Sequence, residues 1–157
     1  MPQPFIATRN PTSAMRILLL LFCFMLLGEA RAEALPVPYD DDYQAARKTY
    51  RARHYEDAVR MLDALLKAHP DCARCAHLLG KSYGRLAQRA NWLAAMDLAR
   101  KTCSALELAV RLDPEDEGAV EDLLRYYHAA PAFLGGGADK ARVMEQQLER
   151  LKAKGAS

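Results

Sequence analysis

The stretch "HPDCARCAHLL", residues 69–79, holds the densest set of reactive side chains in the sequence. Cys72 and Cys75 stand three apart, and His69 and His77 flank them. Four chemistries fit residues of these types. Covalent haem attachment needs C-x-x-C-H, because the adjacent imidazole becomes the axial ligand. Ala76 occupies that place, and His77 comes one residue later. A zinc site would use His69, Cys72, Cys75 and His77. On a helix, however, positions two apart lie about 200° around the axis, so Cys75 and His77 point away from each other. Thiol–disulfide exchange is a better match, since a helix N-terminus lowers a thiol pKa. Oxidoreductases of that type place the motif after a strand, and the preceding residues carry no strand pattern. The fourth option is a disulfide, or a free pair, that fixes the start of an ordinary helix. That option is favoured, with thiol–disulfide or metal handling through Cys72 and Cys75 as the alternative function.

A second candidate is "FLGGGADKA", residues 133–141. Glycines ahead of a helix can turn their N–H groups toward an anion. The phosphate-loop pattern G-x-x-x-x-G-K-[ST] is absent, so the favoured reading is a tight connection between helices, with Asp139 as N-cap. Cys103 falls on the apolar stripe of a helix and reads as a core residue. No Ser-His-Asp order, carboxylate pair or nucleotide loop stands out. The expectation is a protein that is not an enzyme and that holds no cofactor and no metal.

The compartment bears on the cysteines. "ILLLLFCFMLL" (Ile17 to Leu27) is an eleven-residue apolar run, too short for a stable membrane span. Arg16 precedes it, and Ala30-Arg31-Ala32 follows with small residues at the positions a signal peptidase reads. Residues 1–32 therefore read as an export signal cleaved after Ala32, with Met15 as the candidate true start. The expected location is periplasmic or secreted. Loss of three arginines and one glutamate takes 22 basic and 20 acidic residues to 19 and 19. A neutral mature chain gives no reason to expect nucleic-acid binding. Cys72, Cys75 and Cys103 remain, an odd number in an oxidising compartment.

The elements that must position these residues are helical. The 157 residues are rich in Ala, Leu and Arg and poor in β-branched types. Residues 33–38 form an extended lead-in. Apolar points at Ala46, Tyr50, Ala58, Leu62 and Leu65 mark two helices broken near Arg53-His54-Tyr55, and Pro70 ends the second. Further helices run from about Cys72 to Ala90, Trp92 to Leu112, Glu117 to Ala129 and Lys140 to about Lys154. The fourth has a stripe of Leu93, Met96, Ala99, Cys103, Leu106 and Val110. Val120, Leu123 and Tyr127 face inward on the fifth, and Met144, Leu148 and Leu151 are the apolar points of the last.

The six helices pair as three hairpins, at about 39–72, 73–116 and 117–154. Ala46, Ala58, Leu62, Leu65 and Pro70, then Leu79-Gly80, Tyr83, Leu106, Ala109 and Pro114, then Leu123, Tyr127, Ala141 and Leu148 are similar in type and spacing to the tetratricopeptide (TPR) repeat of about 34 residues. The longer second hairpin and the "APAFLGGG" loop resemble exported bacterial TPR-containing proteins with a lengthened central repeat and an A-P-x-x-L-G-G-G loop. The resemblance implies an all-α fold, three TPR-like hairpins in a short right-handed α-solenoid, and an interaction module. The third hairpin lacks the closing Pro of the repeat. In TPR arrays the first helix of each hairpin lines a groove. Projection places Tyr43, Arg47, Tyr50 and Arg51 there, with His77, Lys81 and Arg85 from the second hairpin and Arg125 and His128 from the third. Arg and Tyr in that setting suit an acidic or C-terminal-carboxylate peptide. The residue set of the carboxylate-clamp TPR domains is not matched. A third possibility is a structural subunit of an envelope assembly, docked through the last helix.

Overall fold

The structure, a computed structural model, describes residues 39–155. The export signal at 1–32, the Met15 start and the lead-in at 33–38 lie outside the described residues. Six α-helices follow one another: α1 (Asp40–Arg51), α2 (Tyr55–Ala68), α3 (Ala73–Ala87), α4 (Trp92–Leu112), α5 (Glu117–Ala129) and α6 (Ala138–Gly155). A 3₁₀ turn, Ala132–Leu134, lies between the last two, and no strand occurs among the described residues. No helix of the described residues is long and apolar enough to cross a membrane.

Local chemistry explains where the helices start. Asp40, Asp41 and Asp42 occupy the first turn of α1, where carboxylates face the positive end of the helix dipole. Asn91 caps α4 by accepting from the Ala94 N–H at 3.0 Å. Asp116 caps α5 by accepting from Gly118 and Ala119 at 2.9 and 3.2 Å. The cap of α3 is a sulfur: Cys72 Sγ accepts from the Cys75 N–H at 3.2 Å. Arg53 turns the chain from α1 into α2 with a φ of 66°, a conformation uncommon outside glycine.

Each helix packs on its neighbours in the chain, and α1 also reaches α3. The α3–α4 packing is the most extensive, and Gly80 permits a close approach within it. A Cβ there would lie 2.8 Å from Leu106 Cγ. Two clusters make the core. One joins Ala46, Leu62, Leu65, Cys72, Cys75 and Leu79 around α1–α3. The other joins Cys103, Leu106, Val120, Leu123 and Tyr127 around α4–α6.

Three details depart from the sequence reading. Leu93 is 59% exposed and Trp92 70%, because the first turns of α4 extend past the packed core, and burial begins further along at Thr102 and Cys103. The final helix starts at Ala138, so Asp139 sits inside its first turn and is not the N-cap. Helix α3 stops at Ala87, short of Ala90.

The "APAFLGGG" loop needs all three of its glycines. Gly135 and Gly137 have φ of 97° and 151°. Gly136 passes so close to the Ala130 carbonyl that a Cβ would lie 1.8 Å from its oxygen. The N–H groups of Gly135, Gly136 and Gly137 donate to the carbonyls of Ala132, Pro131 and Tyr127. All three donors are used within the loop, so it is a tight connection with no outward cradle of N–H groups.

Candidate functional site

Two adjoining clefts run over α1, α3 and α5. The first, of about 320 Å³, is lined by Tyr43, Arg47, Tyr50 and Arg51 from α1 and by Arg74, His77, Leu78 and Lys81 from α3. The second, of about 290 Å³, has Gly80, Gly84 and Arg85 of α3, with Gln88 at its C-cap, on one side and Asp122, Arg125, Tyr126 and Ala129 of α5 on the other. Thr102 and Leu106 of α4 close its base, and Tyr50 and Lys81 border both clefts. The α3 positions 74, 77, 78, 81, 84 and 85 share one face because they step by three and four residues. Tyr43, Arg47, Tyr50, Arg51, His77, Lys81, Arg85 and Arg125 thus all border this depression, made of two clefts that meet at Tyr50 and Lys81. His128 does not belong to it: Nε2 of this ring faces Glu145 Oε1 at 2.9 Å, tying α5 to α6. Helical projection put His128 beside Arg125, but α6 packs on that side of α5.

The charges in the depression are partly matched. His77 Nε2 donates to Asp122 Oδ2 at 2.8 Å. Lys81 Nζ lies 3.3 Å from the same oxygen, and Arg125 Nη1 lies 3.0 Å from Asp122 Oδ1. Asp116 Oδ2 faces His77 Nδ1 at 3.4 Å while Oδ1 of the same side chain caps α5. Burial pushes the Asp122 carboxyl up. The His77 hydrogen bond and the Lys81 charge together pull harder, and the net is a pKa of about 2. The depression is therefore less cationic at the α5 wall than its sequence suggests, and among the described residues its cations without an ion pair are Arg47 and Arg51 of α1 and Arg85 of α3.

Arg74 was not anticipated. This guanidinium lies 4.5 Å from the Tyr43 ring centroid and 5.1 Å from that of Tyr39, and Nη1 pairs with Asp40 Oδ1 at 2.7 Å. Nη2 of Arg74 is buried without a hydrogen-bond partner. The signal was present in the spacing, because Arg74 stands three residues before His77. Asp122 carries the same signal, three residues before Arg125 and so on the same face of α5.

No protein-family model matches this chain, and no curated protein does either.

The cysteine motif lies behind the clefts, in the core. Cys72 and Cys75 form a disulfide, and they are 1% and 0% exposed. Their sulfurs are joined to each other, while His69 stacks on Tyr39 and His77 faces Asp122. Among the described residues, no group of three or more His, Cys, Asp or Glu side chains is placed to hold a metal ion. A disulfide so covered presents no open line to an incoming thiolate.

Cys103 is a free, buried thiol beneath Gly135. Sγ donates to Glu107 Oε1 at 3.5 Å, and the Tyr127 hydroxyl donates to the same oxygen at 2.8 Å. Burial first, and then the Glu107 charge, push the Cys103 pKa up to about 11. Such a thiol stays protonated and is a poor nucleophile.

Proposed function

We propose that this chain is a TPR-like interaction module of the cell envelope, exported through its N-terminal segment and binding an acidic peptide or a segment of a partner protein. The groove is the depression over α1, α3 and α5, and no catalytic step is assigned to it. One observation carries the reading: Tyr43, Arg47, Tyr50, Arg51, His77 and Lys81 line one cleft, and among the described residues no carboxylate lies within 4.0 Å of the Arg47 or Arg51 guanidinium. Exposed guanidinium groups beside tyrosine rings bind carboxylates in bidentate fashion and offer flat apolar faces to the rest of a peptide. The likeness of the three hairpin patterns to the TPR repeat supports the same reading, since such arrays present partners to the first helix of each hairpin.

The test is capture of envelope proteins on the purified chain and on a variant carrying Arg47→Glu and Arg51→Glu. Both positions are exposed, so the variant is expected to fold. A partner retained by the native chain and lost by the variant is the expected result. A partner held equally by both would move the site off this groove.

A further inference from the structure

Gly84 is a residue that packing does not require. Glycine in a helix interior weakens the helix relative to alanine. Gly80, one turn earlier, earns its place because a Cβ would strike Leu106 at 2.8 Å. At Gly84 a Cβ would meet only Thr102, at 3.6 and 3.8 Å, which is ordinary van der Waals contact. Alanine would fit there and would strengthen α3. What the missing side chain leaves open is the second cleft, where Gly80 and Gly84 of α3 face Thr102 and Leu106 of α4. The surface offered there is the Thr102 methyl and Leu106, the Thr102 hydroxyl donating instead to the Leu98 carbonyl at 2.9 Å, whereas the first cleft is walled by Arg47, Arg51 and Arg74.

From these observations we infer that the two clefts read two different residues of one extended peptide: an acidic side chain over Arg47 and Arg51, and an aliphatic side chain seated over Gly84. The inference rests on the groove proposed above and names what that groove selects. The first cleft is centred near His77 on α3 and the second near Gly84, an offset of about 10 Å at 1.5 Å per residue. An extended peptide advances about 3.3 Å per residue, so the acidic and aliphatic positions are about three or four apart. Charge sets the order of the wall as well as its content. Beside the second cleft Asp122 already holds Lys81 and Arg125, and among the described residues only Arg85 there lacks an ion pair, whereas neither Arg47 nor Arg51 has one at the first.

The experiment is selection of a randomised peptide library, displayed on phage, against the full chain, with the Arg47→Glu, Arg51→Glu variant as counter-target. Selected peptides are then titrated by fluorescence anisotropy against Gly84→Ala and Gly84→Leu. The expected consensus has Asp or Glu and, three or four residues away, Leu, Ile or Val. Gly84→Ala should melt higher than the native chain yet bind the selected peptide several-fold more weakly, and Gly84→Leu should lose it by tenfold or more. Gly84→Ala alone decides the matter if Gly84→Leu does not fold. An acidic consensus with no aliphatic position, or unchanged binding to Gly84→Ala, overturns this inference and leaves the groove standing. No enrichment over the counter-target overturns the groove itself and this inference with it.

Discussion

Asp122 Oδ2 accepts from His77 Nε2 at 2.8 Å, and this contact ties α5 to α3 across the base of the groove. Lys81 and Arg125 close on the same carboxylate, whose side chain is only 16% exposed. A half-open cationic surface thus has a structural anion at its centre. Removal of that anion would leave three cationic or protonatable groups facing each other with reduced hydration.

This pairing has a pH signature. The Asp122 pKa is depressed to about 2 from an ordinary 3.8, so the pairing contributes stability above the unfolded value and loses it as pH falls toward the folded one. Thermal melts between about pH 5 and pH 2 should show a decline that flattens in Asp122→Asn. At neutral pH that variant should be less stable by on the order of 2 kcal/mol. Equal acid sensitivity in both proteins would show that other carboxylates govern the transition.

The glycines of the "APAFLGGG" loop should rank by their surroundings. Gly136→Ala drives a Cβ to within 1.8 Å of the Ala130 oxygen and must displace backbone. Gly137→Ala meets nothing within 4 Å and suffers only from its φ of 151°. The expected losses are about 3 kcal/mol or more at Gly136 and about 1 to 2 kcal/mol at Gly137, read by urea denaturation. Equal losses would mean that the loop moves away from Ala130 without cost.

Much of this architecture was legible in the residues. The bounds of α4 and α5 follow from Asn91, from Asp113-Pro114 and from the apolar steps between them, and they match the structure at both ends. Gly80 was recognisable as a site of close approach from its place in the Leu79-Gly80 pair of the repeat pattern, and a Cβ there would meet Leu106 at 2.8 Å. The misses have physical reasons. Periodicity places Leu93 on the apolar stripe of α4 but carries no information on how far the neighbouring helices extend, so it could not show that Leu93 overhangs. Arg125 and His128 share a face on a helical wheel and both stay exposed, yet which of them borders the groove depends on where α6 lies. Asp122 shows the limit most clearly. The charge of a surface depends on which carboxylates fold back against it, and that is a tertiary property.

Cys103 has an alkaline counterpart to the behaviour of Asp122. Its pKa is raised to about 11, chiefly by burial, so the folded state holds this proton more tightly than the unfolded chain does. The associated stability is complete below the unfolded thiol value of about 9 and is lost as pH rises through about 11. Tyr126, raised to about 12 mainly by burial, adds to the same slope at higher pH. Cys103→Ala should lessen the decline between about pH 9 and 11. At pH 8 the native thiol should react with a maleimide only as fast as the fold opens, and full labelling within the dead time of mixing would contradict the buried position.

The disulfide allows the thiol-exchange alternative to be tested against the staple. Cys72→Ser with Cys75→Ser removes a short covalent loop and puts two hydroxyls into an apolar cluster that includes Ala46, Leu62 and Leu65. The loop term alone is about 2 kcal/mol, and the buried hydroxyls add to it unless the start of α3 rearranges. The melting temperature should therefore fall by roughly 8 °C or more. Capture of a groove partner should survive below the lowered transition, because Cys72 and Cys75 sit behind α3 and line neither cleft. A redox role predicts the opposite pattern: a small change in melting, together with loss of disulfide exchange toward a reduced peptide substrate. The serine variant's melting curve and a thiol-exchange assay on the native chain therefore separate a packed staple from a working disulfide.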